Sequence, residues 1–181
     1  MISLKSDITK KLLNYFFINP QENLYVNEIA RKLNLDKRNL VKKIRELEKE
    51  GILENANRGN LKLYSINENY PLYNEFKAIV LKTVGLEDKL KKILHETENI
   101  KQAYIYGSYA QDKMDTNSDI DILVIGDHNI IQLQQKLSKL QKEISREINI
   151  VNMDLNEYKK RVKNKDPFIL GLINKKHIKL I

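Results

Sequence analysis

The sequence contains no cysteine, only three histidines and three prolines, and no apolar run near the length of a membrane span. Each shortage excludes something. Without thiols there is no disulfide framework and no zinc–thiolate centre, which suits a cytoplasmic protein. His95, His128 and His177 stand far apart in the chain, so each reads as surface or packing rather than as part of a metal cluster. None lies close enough in sequence to activate a serine nucleophile. A membrane helix needs roughly 18 consecutive apolar residues, and the chain is therefore read as having no membrane partner. Residues 1–19 alternate charged and apolar groups, as an amphipathic helix does and a secretory leader does not. Repeats and low-complexity tracts are missing as well.

What is present is an ordinary globular composition. The 181 residues are enough for one domain or two small ones with a real core. Lys and Arg total 32 against 24 acids, a formal charge of +8. That balance suits polyanions such as nucleic acid or nucleotide. The signal is weak by itself, because Ile, Lys and Asn are frequent throughout the chain.

The first third is helical, then extended. Residues 6–19 carry an apolar stripe (Ile8, Leu12, Leu13, Tyr15, Phe16, Phe17) that stops at Asn19-Pro20. A short helix is expected over 27–33, with Asn27 as N-cap and Glu28 near the positive end of the helix dipole. A third runs over 36–50, capped by Asp36, striped by Leu40, Val41, Ile44 and Leu47, and stopped by Gly51. Strands are expected over 52–55 and 61–66, joined by 56–60. This order resembles a winged helix-turn-helix DNA-binding domain over residues 1–68. The resemblance implies that the third helix enters a DNA major groove. There Lys37, Arg38, Lys42, Lys43 and Arg45 would reach phosphates or base edges, and Asn39 would read adenine. Arg58 and Lys62 on the wing would touch the DNA backbone. A solvated helix face is the plain alternative, since Glu46, Glu48 and Glu50 dilute the charge. The domain is bounded at 1–70, where Asn69-Tyr70-Pro71 ends it.

Residues 71–98 form a helical connector, divided near Gly85, with Phe76, Ile79, Val80, Val84, Leu86, Leu90, Ile93 and Leu94 at helical spacing. So apolar a segment is no flexible tether. It packs modules together or forms a dimer seam.

From 99 to 181 the pattern alternates: strand 101–106, helix 108–112, strand 119–125, helix 130–146, strand 147–151, helix 155–163, helix 168–174 and a short strand within 177–181. Two features stand out. Gly107-Ser108 follows the first strand, and after ten further residues come Asp119 and Asp121, one residue apart. On a strand, alternate side chains share a face, so the two carboxylates project together while Ile120 and Ile122 enter a core. Adjacent carboxylates repel unless neutralised, and a hard divalent cation bound to substrate phosphates does this. Gly-Ser, ten residues, then Asp-x-Asp resembles the minimal nucleotidyltransferases of the DNA polymerase beta superfamily, over residues 99–181. The resemblance implies that Gly107 and Ser108 cradle the phosphates of a nucleoside triphosphate, ATP, while Asp119 and Asp121 hold Mg2+ and are catalytic.

The chain departs from that pattern in two places. The third acid of the family falls on Asn149, an amide without charge or basicity. Gln111 and Asp112 replace an arginine and a glycine, which leaves Lys113 as the nearby cation. Asp154 reads as a helix N-cap before Leu155 rather than a substitute acid. Lys159 to Lys165 reads as a solvated basic face.

The expected fold class is thus α+β: a winged helix of three helices plus a β-hairpin, joined by a helical connector to a small mixed α/β nucleotidyltransferase-like domain. Two functions remain open at this point. One is Mg2+-dependent transfer of a nucleoside monophosphate to an acceptor hydroxyl, coupled to DNA binding. The resemblance implies an acceptor on a protein tyrosine, a small molecule or RNA, with a partner toxin as one case. The other is a transcription regulator or antitoxin whose nucleotidyltransferase-like domain only binds nucleotide or mediates dimerisation. A homodimer suits the winged helix, because two copies read two half-sites.

Overall fold

The computed structural model describes residues 4–115 and 117–181. Residues 1–3 of the N-terminal stretch and Thr116 of the ten-residue spacer lie outside the described residues. The chain divides into two compact units. One reaches Asp88 and includes Glu143–Ser145; the other holds Lys89–Lys142 and Arg146–Ile181.

In the first unit, α1 (Asp7–Ile18) starts at Ser6, whose hydroxyl accepts from Thr9 N. It buries Leu12, Leu13, Tyr15, Phe16, Phe17 and Ile18. A short strand, β1 (Leu24–Tyr25), precedes α2 (Val26–Leu33), and α3 spans Lys37–Lys49. The hairpin is β2 (Leu53–Arg58) and β3 (Leu61–Ile66), and the antiparallel sheet has the order β1-β3-β2. Helix, strand, helix, helix, hairpin is the winged-helix order. Asp36 caps α3 as expected, accepting from Asn39 N at 3.0 Å.

Three expectations need correction. α2 begins one residue earlier than predicted, so Tyr25 is its N-cap and Asn27 lies inside the helix. The side chain of Glu28 accepts from Tyr25 N at 3.2 Å, which stabilises that earlier start. The wing strands run on to Arg58 and restart at Leu61, leaving only Gly59-Asn60 as the turn. The residues 56–58, read as loop, gain ladder hydrogen bonds that no side-chain pattern announces. β1 was not foreseen, because two residues carry no periodicity; it forms by pairing Leu24 with Tyr64 and Tyr25 with Leu63 on the open edge of β3.

The predicted connector is two helices, α4 (Tyr73–Thr83) and α5 (Leu86–His95), broken at Val84-Gly85. Gly85 is needed there for space. A Cβ would stand 2.6 Å from Asn14 Oδ1 and 2.9 Å from the Leu81 Cα.

The second unit holds β4 (Ile100–Tyr106), the single turn α6 (Gly107–Ala110), β5 (Ile120–Gly126), α7 (Ile130–Ile144) up to Lys142, β6 (Ile148–Met153), α8 (Leu155–Lys163), α9 (Pro167–Asn174) and β7 (Ile178–Lys179). Its sheet has the order β6-β5-β4-β7. β5 is antiparallel to β4 and parallel to β6. As the central strand it is apolar on both faces, and Ile120 and Ile122 to Ile125 are all fully buried. One face packs Leu123, Ile125 and Met153 against Ile169 and Leu172 of α9. Asp154 caps α8, accepting from Asn156 N and Glu157 N at 2.7 and 2.8 Å. No helix among the described residues is long and apolar enough to cross a membrane.

Replacing Gly85 by alanine pushes a methyl against backbone that cannot retreat. Gly85→Ala is expected to destabilise by about 1–3 kcal/mol, seen as a lower midpoint in urea unfolding; an unchanged midpoint contradicts the close packing.

Candidate active site

The parallel register between β5 and β6 builds the site. Asp121 pairs with Tyr106 on one side and with Asn149 on the other, so residues far apart in sequence share one end of one sheet face. Asp119 lies just before β5, two residues from Asp121 and on the same side. The Asn149 Nδ2 donates to Asp119 Oδ2 at 3.1 Å and, more weakly, to Asp121 Oδ1 at 3.5 Å. Both carboxylates therefore converge on one amide. This is the convergence expected of an Asp-x-Asp pair.

The Gly-Ser bend meets the pair directly. Gly107 has φ +72°, the left-handed region, and a Cβ there would collide with the Asp121 carboxylate. Glycine is thus required twice, for backbone conformation and for space. Ser108 is half-buried in α6, and its carbonyl accepts from Lys113 N at 2.9 Å, which closes the loop after the turn. Asp112 has φ +59°. Glycine adopts that conformation without strain, which explains why the related pattern carries glycine where this chain has Asp112. Lys113 is exposed.

The electrostatics follow from crowding. Burial pushes the Asp121 carboxyl above its usual range; the Asn149 amide pulls it down, and the charge of Asp119 pushes it up. Burial also raises the Tyr106 phenol, helped by the charge of Asp121, so Tyr106 stays neutral and can donate. Its ring meets Phe168 edge to face, with centroids 5.4 Å apart. Tyr106 and Phe168 thus wall the site where α9 begins, a placement that sequence reading gave no reason to expect. Tyr109 is buried, as core packing rather than an exposed platform.

No group of three or more His, Cys, Asp and Glu forms a metal cluster among the described residues. The donors at this ledge are two carboxylates and one amide oxygen, if the amide turns over. Such a set fits a hard cation that takes its remaining oxygens from substrate phosphates and water. The ledge is open: Asp119 and Asp121 are half-exposed and Asn149 is exposed. A cavity of about 400 Å³ lies elsewhere, at the α8–α9 turn, lined by Glu157, Lys160, Arg161, Asn164, Asp166 and Pro167. Arg161 is neutralised there by Glu157 at 2.6 Å and Asp166 at 3.8 Å, so the cavity offers little pull on an anion.

In the first unit, Lys37, Arg38, Asn39, Lys42 and Arg45 of α3 are exposed, as are Arg58 and Lys62 of the wing. Lys43 is occupied by Glu46 at 2.6 Å, and Lys62 by Glu48 at 2.7 Å. The bond to Glu48 raises the Lys62 ammonium above its ordinary value. The basic groups lie on two separate elements, and two carboxylates of α3, Glu46 and Glu48, already engage two of them.

An α/β unit that sets an Asp-x-Asp pair against a Gly-Ser bend has the layout of a nucleotide-transferring domain. The family model described as Polymerase beta, Nucleotidyltransferase matches residues 88–168, so that segment is nucleotidyltransferase-like. It contains Gly107, Ser108, Asp119, Asp121 and Asn149. No curated protein matches the chain. Among solved structures, a toxin–antitoxin crystallised with AMP-PNP is 21% identical over 52% of this chain and 72% of its own, with a TM-score of 0.39. A nucleotidyltransferase-type protein from Sulfolobus solfataricus is 22% identical over 41% and 68%, TM-score 0.29. ZitR of Lactococcus lactis in complex with DNA is 13% identical over 79% and 81%, TM-score 0.36. Likenesses at that level carry no argument about function.

The raised Asp121 carboxyl has a consequence for stability. Its neutral form is favoured by the fold, so the stability it contributes is complete below the ordinary aspartate value of about 3.9 and is lost as pH rises through the raised one. Asp121→Asn is therefore expected to melt higher than the wild type at neutral pH, with the difference shrinking in acid. A variant that melts lower at neutral pH contradicts this.

Proposed function

We propose that the protein is a Mg2+-dependent nucleotidyltransferase joined to a DNA-binding winged helix. The observation that carries the reading is the Asp121 carboxylate seated on Gly107 while sharing the Asn149 amide with Asp119. A phosphate approaching the Gly107 backbone thereby meets both acids. Residues 99–181 would carry transfer and residues 1–70 would carry DNA recognition, with 71–98 between them.

In this reading Asp119 and Asp121 hold the cation, and Gly107 and Ser108 hold the phosphates of a nucleoside triphosphate such as ATP. Bound magnesium would supply charge neutralisation at the phosphates and at the two acids. An acceptor hydroxyl oxygen attacks the α-phosphorus, a new P–O bond forms, and the bond from that phosphorus to the bridging oxygen breaks. Pyrophosphate leaves with the electron pair, and the hydroxyl proton passes to solvent or to a site carboxylate. Catalysis of this type is mostly positioning and charge stabilisation. The chain's own contribution is to fix two carboxylates against the bend. The acceptor hydroxyl of a toxin partner, and a homodimer reading two DNA half-sites, belong to the same reading.

A second reading rests on Asn149. Its amide donates to both acids, as a neutral stand-in for the positive charge they require, and it cannot accept a proton from the attacking hydroxyl. A regulator that binds nucleotide without transferring it follows from that. Labelled ATP and Mg2+, incubated with the protein with and without cell extract, separate the two. Transfer of label that Asp121→Ala abolishes supports the enzyme; tight nucleotide binding without transfer supports the regulator. Where the missing charge limits turnover, Asn149→Asp raises the transfer rate about tenfold or more, by analogy with single catalytic groups. An unchanged rate refutes that account of Asn149.

DNA binding by α3 rests on the exposed Lys37, Arg38, Asn39 and Lys42, with Lys43 released from Glu46 as DNA arrives and Arg58 on the wing. Lys42→Ala should weaken binding to all sequences alike and reduce the slope of log affinity against log salt by about one. A salt slope equal to the wild type's removes Lys42 from the interface.

A further inference from the structure

Asp119 is held at its backbone from both sides by one dipeptide of the neighbouring strand's approach. On one flank, Arg146 Nη1 donates to the carbonyls of Asp115 and Ser118 at 2.7 and 2.9 Å. On the other flank, Ile120 N donates to the Glu147 carbonyl at 2.9 Å. Asp119 is the residue between Ser118 and Ile120. Three residues further along the same segment, Asn149 reaches the Asp119 carboxylate itself.

We propose that Arg146 is a positioning residue for the cation site: it fixes Asp115 and Ser118 so that Asp119 arrives beside Asp121. The inference rests on the nucleotidyltransferase reading above. Three observations support it. First, Arg146 is only 9% exposed. Burying a guanidinium is costly unless its donors are used, and here Nη1 donates to two backbone carbonyls, those of Asp115 and Ser118. A charge spent on holding a loop needs that loop's geometry to matter.

Second, arginine suits the task. The two hydrogens of Nη1 are fixed in the guanidinium plane and serve both carbonyls at once, whereas a lysine ammonium on a flexible stem is a point donor. Third, the loop is tied internally to present those carbonyls. The Asp115 carboxylate accepts from Asn117 N and from Ser118 Oγ, both at 2.9 Å, while Ser118 Oγ accepts from Asp115 N at 2.9 Å. The Ser118 hydroxyl is the largest reason that the Asp115 carboxyl sits below its ordinary range. Asp115, Asn117 and Ser118 are thus tied to one another, and Arg146 fastens them to the body. Arg146 cannot itself ligate a cation, and its positive charge at most repels one, so weaker cation binding in its absence reports on the placement of Asp119.

Mn2+ binding to the full-length chain, followed by electron paramagnetic resonance, tests this without requiring turnover. Arg146→Met is expected to weaken Mn2+ binding by about tenfold or more, the usual cost of losing a group that orients a ligand. Arg146→Lys should recover part of the loss, and the circular dichroism of both should match the wild type. In assays of transfer, the cation concentration needed for half-maximal rate should rise more than the maximal rate falls. A folded Arg146→Met protein with wild-type Mn2+ affinity overturns the proposal. If that variant does not fold, Ser118→Gly decides, because it loosens the same loop without unburying a charge: weaker Mn2+ binding supports the proposal, and unchanged binding overturns it. Asp121→Asn separates the two levels of inference. If it binds Mn2+ as well as the wild type, the cation reading itself fails and the proposal falls with it.

Discussion

Two carboxylates forced together at the start of a strand are the constraint around which the second unit is arranged. Asp119 and Asp121 repel, and burial of Asp121 makes its charge more expensive still. Among the described residues, no cationic side chain pairs with either carboxylate to relieve the conflict. The surroundings hold it open with a neutral amide from Asn149 and leave one side of the ledge exposed. The same logic explains Gly107, because any Cβ at the bend would displace the carboxylate that the site depends on.

The sheet supplies the rigidity that such a conflict needs. β5 is buried on both faces and bonded on both edges, so the end of the strand that carries Asp121 cannot drift. Antiparallel pairing brings Tyr106 to one side of Asp121, and parallel pairing brings Asn149 to the other. Arg146 and Glu147 then hold the backbone on either side of Asp119. Strain placed at one point is tolerated because several independent contacts over-determine it.

The first unit depends on a different balance. Its helices are set by apolar stripes and by caps that could be read directly, Asp36 above all. Its exposed bases are dispersed over α3 and the wing and are partly tied to Glu46 and Glu48. Exposed pairs of this type contribute little to stability, about 0–1 kcal/mol. Lys43 and Lys62 can therefore leave Glu46 and Glu48 at small cost.

Sequence alone carried the elements with strong periodicity, the break at Gly85, the caps at Asp36 and Asp154, and the Gly-Ser to Asp-x-Asp spacing. Those features are local: they depend on residues within a turn or a strand of one another. It left out β1, the length of the wing strands and the start of α2, because backbone pairing and a Glu28 contact to Tyr25 N decide them. Only the tertiary structure decided that Asn149 would bridge both acids, that Phe168 would wall the site against Tyr106, and that Arg146 would hold the loop before Asp119. Each of these joins residues about thirty or more positions apart, through the register of a parallel strand pair and the docking of α9. Register is a property of two strands together, and β5, buried on both faces, has no apolar–polar alternation that would specify it.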